Sequence, residues 1–213
     1  MSVSVSERIH MVCVCFILLL MGVEAMAVEE AKYRVLSRDG DIEIRLYEPQ
    51  IVAEVVVGGP LEDAGTVAFR KLFNYISGEN RSRAKIAMTA PVAQEPQQEK
   101  IAMTAPVSQE STEKGWAVSF MMPASYTMDT IPEPLDADVN IREIPSRTAA
   151  AIRYSGFWSE VRYQKFLGIL RDWLAERKLT AIGEPIWARY NPPFMPWFLR
   201  RNEIMIPVAS SGE

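Results

Sequence analysis

The chain has 213 residues, a formal charge of −4 and 48% hydrophobic residues, which suits one domain with a sizeable core. Lysine and arginine are interspersed with aspartate and glutamate, which argues against the clustered basic face of a nucleic-acid binder. The one histidine and the two cysteines, His10, Cys13 and Cys15, all lie near the N-terminus.

The chain opens with the layout of a secretory signal peptide. Arg8 precedes an apolar run from Met11 to Met21, and Ala25-Met26-Ala27 has the small-x-small form of a signal-peptidase site. The run is shorter than the roughly 18 apolar residues of a spanning helix. We expect residues 1–27 to be a signal peptide cleaved after Ala27, so that the protein is exported to the periplasm or secreted. The competing expectation is a retained membrane anchor. Cleavage would remove His10, Cys13 and Cys15, leaving residues 28–213 without thiol or imidazole. That would exclude a disulfide framework, Cys/His zinc sites and nucleophilic catalysis by Cys/His or Ser/His/Asp.

Two stretches then share a plan. Ile42–Tyr47 alternates as a strand, Glu48-Pro49-Gln50 turns, and Ile51–Val57 forms a second strand. Val139–Ile144, Pro145-Ser146 and Arg147–Tyr154 repeat the pattern. Both read as hairpins, and each is followed by a helix. Phe69, Leu72, Phe73 and Ile76 fall at helical spacing, and Gly78 sits at a C-cap position. Val161, Leu167, Leu170 and Leu174, backed by Phe166, Ile169 and Trp173, mark the second helix, with Ser159 as its N-cap. Strands close each half at Trp116–Met122, Ile186–Tyr190 and Glu203–Val208. The whole reads as an α+β fold of two pseudo-symmetric ββαβ-like halves, with two helices packed on a mainly antiparallel sheet.

A tighter repeat lies inside the first half. Lys85–Val92 (KIAMTAPV) recurs letter for letter as Lys100–Val107, separated by the polar loop Ala93–Glu99. On a strand its bulky residues would share one face and its small ones the other. Each Met would then be free to line a cavity, while the proline marks an edge or a bulge.

At this repeat the sequence resembles the SOUL/haem-binding-protein family. The Met-Thr-Ala-Pro-Val unit carries the likeness, with Tyr75-Ile76-Ser77-Gly78, the strand Trp116–Phe120, and Tyr190-Asn191-Pro192-Pro193 followed by Arg200-Arg201-Asn202-Glu203. The resemblance covers about Tyr33 to Val208 and implies a single domain over residues 28–213 with a distorted, barrel-like α+β fold. It also implies binding of haem or another tetrapyrrole in a shallow apolar cleft beside the first helix. By that likeness Phe69, Phe73 and Met88 line the cleft, with Arg70, Lys71 and Asn74 on its polar rim. Two departures stand out. Some members use an axial histidine, which residues 28–213 lack, and some carry a lysine for the haem propionates where this chain has Met195.

Other motifs fit this reading or fall away. Met88, Met103, Met121 and Met122 can supply a thioether ligand or a soft lining for a flat ligand, or simply fill the core. Phe194–Leu199 is an apolar, proline-broken loop that suits a lip over the cleft, packing on the core, or contact with a membrane surface. Arg200 and Arg201 can each fork onto a carboxylate, including a propionate; the plainer reading leaves one in solvent and pairs the other with Glu203. Ser111-Thr112-Glu113-Lys114 matches Ser-x-x-Lys but sits in a polar loop, not at a helix start. Glu43 and Glu48, like Asp136 and Asp138, read as exposed and form no acid/base pair. Asn80-Arg81-Ser82 is a glycosylation sequon that matters only in a eukaryotic secretory host. The expected function is non-enzymatic binding of a small-molecule tetrapyrrole by a monomer, for buffering, transport or sensing. The alternative is another hydrophobic ligand, because the two-half plan also resembles the effector-binding domains of bacterial regulators. A haem-processing enzyme ranks below both, for want of a histidine.

Overall fold

The computed structural model describes residues 28–83 and 98–209. Residues 1–27, expected to be a signal peptide, and the first repeat copy, with Met88, lie outside them. In chain order the elements are β1 (Glu29–Glu30), β2 (Tyr33–Asp39), β3 (Ile42–Tyr47), β4 (Gln50–Val57), α1 (Leu61–Ser77), β5 (Asn80–Arg81), β6 (Thr104–Ala105) and β7 (Val107–Thr112). There follow β8 (Gly115–Met121), β9 (Glu133–Pro134), β10 (Asn140–Ile144), β11 (Arg147–Tyr154), α2 (Glu160–Glu176), β12 (Ile186–Arg189) and β13 (Asn202–Pro207). Nine strands form one antiparallel sheet in the order β10-β4-β8-β7-β12-β13-β11-β3-β2. The architecture is the expected α+β one, with two helices on a curled, half-barrel sheet.

The expected hairpins are absent. β3 does not fold back on β4, nor β10 on β11. Instead β3 pairs with β11 and β4 pairs with β10. Tyr47 faces Arg147 and Gln50 faces Ile144, so the register is unchanged through the bend and sets Pro49 opposite Pro145. The two strand-turn-strand segments are therefore two long bent strands laid antiparallel along each other. A proline at each bend removes a ladder donor where the pairing is interrupted anyway. Because the bends join both ends of the strand order, the sheet curls round.

One face of the sheet packs on the helices, α1 over β4 and β8 and α2 over β11 and β13. α1 buries Leu61, Ala64, Ala68, Leu72, Tyr75 and Ile76. Its small residues let the helix lie close to the sheet. Phe69 and Phe73, expected in that stripe, are instead 37% and 47% exposed on its flank. The α1 C-cap is Gly78, at φ 125°, where a side chain would be strained. α2 buries Tyr163, Leu167, Leu170 and Leu174, and Ser159 caps it by accepting from the Arg162 N–H. Val161, expected in the stripe, is exposed, because two residues before the buried Tyr163 it falls on the opposite side of the helix. No helix among the described residues is long and apolar enough to cross a membrane.

The other face turns into the half-barrel and is closely filled. Tyr47, Ala149, Ala151, Ile186, Ala188 and Met205 pack there, beside an internal ion network. Glu203, fully buried, accepts from Arg45 at 2.7 and 3.1 Å, from Arg201 at 3.0 Å and from the Tyr190 hydroxyl at 2.8 Å. Glu43, read from sequence as exposed, is buried and bonds Arg45 at 2.6 Å. The void left inside is about 30 Å³, room for about one water and no larger ligand.

Candidate ligand-binding cleft

Where the two helices begin, the outer side of the sheet is left uncovered. α1 supplies Gly65, Thr66 and Phe69, Trp158 comes from just before the α2 cap, and Val107, Trp187 and Arg189 rise from β7 and β12. Met103, Thr104 and Ala105 of the second repeat copy close one side, with Val28 beside them just ahead of β1, which pairs with β6, and Tyr190–Pro193 forms the rim. The cleft holds about 530 Å³, within the roughly 300–1,000 Å³ usual for small-molecule sites. Its described walls are mostly aromatic or aliphatic, and Arg189 carries their one formal side-chain charge.

Each wall has a local cause. Along β12, Ile186 and Ala188 face the half-barrel interior while Trp187 and Arg189 face the helices, as strand alternation requires. Pro106 separates β6 from β7, so the repeat leaves regular pairing and Met103 stays 39% exposed at the cleft. Phe69 meets Phe120 edge-on at 5.2 Å and stacks on Phe73 at 5.9 Å. Arg200 donates to the backbone carbonyls of Met195, at 2.8 Å, and Pro193, and lies 4.8 Å above the Trp158 ring. It therefore shapes the Pro-Pro rim from behind.

A larger hollow, about 690 Å³, lies between β2 and the end of α2. Its Asp39 and Arg177 already pair with each other, so it offers an incoming ligand less than the cleft does. Among the described residues no group of carboxylate, histidine or cysteine side chains is arranged to hold a metal ion.

With that geometry in place, the comparisons with known proteins decide the family. The family model described as SOUL heme-binding protein matches residues 28–207. This chain belongs to the SOUL family. Mouse heme-binding protein 1 is 26% identical over 189 residues, covering 86% of this chain and 94% of its own. Human heme-binding protein 2 is 30% identical over 176 residues, covering 77% and 80%. Among solved structures, EcmrR in a complex with DNA superposes with a TM-score of 0.54 at 13% identity, covering 97% of this chain and 69% of that one. An uncharacterized conserved protein from Listeria innocua gives 0.53 at 9%, covering 81% and 94%. These last two likenesses show a shared fold.

Of the site residues expected from sequence, this SOUL domain brings Phe69 and Met103 into the cleft. Phe73 stands one turn further along α1, stacked on Phe69 and facing solvent. Arg70 is exposed and Asn74 half-buried, and neither lines the cleft. Lys71, expected on the rim, is held by Asp136 at 2.9 Å and Asp138 at 2.6 Å. Met195 and Arg200 lie behind the rim rather than in the cavity. Met121 and Met122 are buried. Ser111 is paired within β7 and Lys114 lies in the tight turn to β8, so neither is at a helix start. Trp158, Trp187 and Arg189 were missed by sequence reasoning. Gly65 was the available signal: a glycine inside a helix costs stability and commonly marks a close approach.

Proposed function

We propose that this SOUL protein binds haem or a related tetrapyrrole in the cleft between the starts of its two helices, without catalysing a reaction on it. The observation that carries this is the pairing of family membership with an apolar cavity of about 530 Å³ walled by Phe69, Met103, Trp158 and Trp187. Flat faces and a thioether suit a flat conjugated ring. After cleavage at Ala27 the chain holds no histidine, so apolar burial supplies most of the affinity and iron ligation little. The role is buffering, transport or sensing by an exported monomer, with no nucleic acid or membrane needed to complete the site.

The test is a titration of the protein with haemin and with iron-free protoporphyrin. Both should bind, with a shifted Soret band and affinities within about tenfold of each other, which is about 1.4 kcal/mol. Phe69→Ala should weaken both by roughly tenfold to a hundredfold, from about 1–3 kcal/mol of lost apolar contact. No Soret shift with either porphyrin overturns the reading and leaves another hydrophobic ligand for the cleft. Turnover of bound haem under reductant would overturn the non-enzymatic part.

A further inference from the structure

Arg189 is a cation without an anion. It lines the cleft, part-buried, and among the described residues no carboxylate lies within ion-pair distance. Its one hydrogen bond there runs from Nη2 to Gln109 Oε1 at 3.2 Å. The Trp158 and Trp187 rings lie 5.4 and 5.1 Å from its guanidinium carbon. A guanidinium has five N–H donors, and this bond among the described residues uses one of them.

The surroundings hold that side chain in place. Gln109 is fully buried, and its Nε2 donates to the Leu61 carbonyl at 2.7 Å. That bond fixes the amide so that its oxygen points at Arg189. Gly65 leaves the space: a Cβ there would stand 2.9 Å from Arg189 Nη2 and 3.3 Å from Gln109 Oε1. Arg45 and Arg201, in the half-barrel interior, each have a buried glutamate partner. Arg189 differs from them, and burial lowers its pKa to about 10, offset only in part by the nearby Tyr154.

We infer that Arg189, held by Gln109 and given room by Gly65, is the seat for a carboxylate of the bound ligand, so that the cleft selects acidic tetrapyrroles. This deepens the tetrapyrrole reading and rests on it for the ligand's identity. A carboxylate there would accept the forked N–H pair while the ring system lies against the aromatic walls. Neutral esters of the same ring would leave the guanidinium desolvated and unpaired, which costs affinity.

The experiment compares protoporphyrin with its dimethyl ester on the full chain and on Arg189→Gln and Arg189→Lys, each checked for folding by circular dichroism. An anionic apolar dye, anilinonaphthalenesulfonate, is the third probe. The acid should bind wild type on the order of tenfold to a hundredfold more tightly than the ester. Arg189→Gln should abolish that preference, and Arg189→Lys, which keeps charge but loses the fork, should restore part of it. Equal binding of acid and ester to wild type overturns the carboxylate seat while leaving the tetrapyrrole reading intact. If neither porphyrin binds but the dye does, and Arg189→Gln releases it, the seat stands and the tetrapyrrole reading falls. If no probe binds wild type, both fall.

Discussion

Arg45 reaches across β11 to grip Glu203 with two hydrogen bonds, 2.7 and 3.1 Å long, inside the half-barrel. Ala149 and Ala151 on the intervening strand leave the long side chain room to lie flat. Removing one partner of such a pair strands the other charge without water. Glu203→Gln should therefore destabilise the fold by about 3 kcal/mol or more, read from the urea midpoint. A loss under about 1 kcal/mol would show that Glu43 alone satisfies Arg45.

The same glutamate sets an acid limb. Burial pushes its pKa up, but Arg45, Arg201 and Tyr190 outweigh that and hold the carboxyl below the ordinary glutamate range. A depressed folded pKa gives stability that is full above the unfolded value, about 4.3, and is lost as pH falls through the folded one. Denaturation at stepped pH should show stability dropping below about pH 4, with a shallower drop in Glu203→Gln. Identical acid limbs in the two proteins would place the titration elsewhere.

Gly65 separates helix stability from binding. Alanine is favoured over glycine in a helix by roughly 0.8–1.0 kcal/mol, yet its Cβ would crowd the Arg189 guanidinium. The tip of a long side chain yields before backbone does, so the added methyl would push the guanidinium off its Gln109 contact. Gly65→Ala should hold or raise the melting temperature while lowering affinity for protoporphyrin. A variant that binds as wild type does would mean the guanidinium is not positioned through this gap.

Leu170 is fully buried in the cluster joining α2 to the sheet. Leu170→Ala should cost about 2–5 kcal/mol, depending on how far the site collapses. Its neighbour Ile169 is 42% exposed, so Ile169→Ala should cost far less. The two unfolding midpoints test which face of α2 is packed.

Processing is open to direct measurement. Cleavage after Ala27 would start the chain at Val28, which lines the cleft, and would bring an ammonium group to its wall. N-terminal sequencing of the exported protein should read Val28-Glu29-Glu30, and its melting temperature should not change with reductant. Recovery of the intact chain in the membrane fraction would overturn export by cleavage.

Much of the fold was legible locally. Ser159 and Gly78 marked helix ends because caps depend on a residue and its near neighbours. The bends at Pro49 and Pro145 were visible too, but a strand, a proline turn and a second strand look the same whether the chain folds back or runs on. Partner choice is a long-range matter. The α1 stripe was misjudged because phenylalanine draws more weight than alanine, although Ala64 and Ala68 are what let the helix approach. At the cleft, Phe69 was named from the family likeness and Met103 from the methionines of the repeat. Trp158, Trp187 and Arg189 could not be, since the cleft forms only when α1, β7, β12 and the start of α2 converge.

The constant register of Ile42 to Glu54 against Asn140 to Ile152 shapes how the molecule assembles. Each half extends an arm that is paired by the other half's arm, the arrangement of a domain-swapped dimer drawn into a single chain. Neither half can complete its wall alone, so fragments cut near Asp136 should fold together and not apart. Closing that ladder joins residues on the order of 100 positions apart, a high contact order that puts refolding in the millisecond-to-second range.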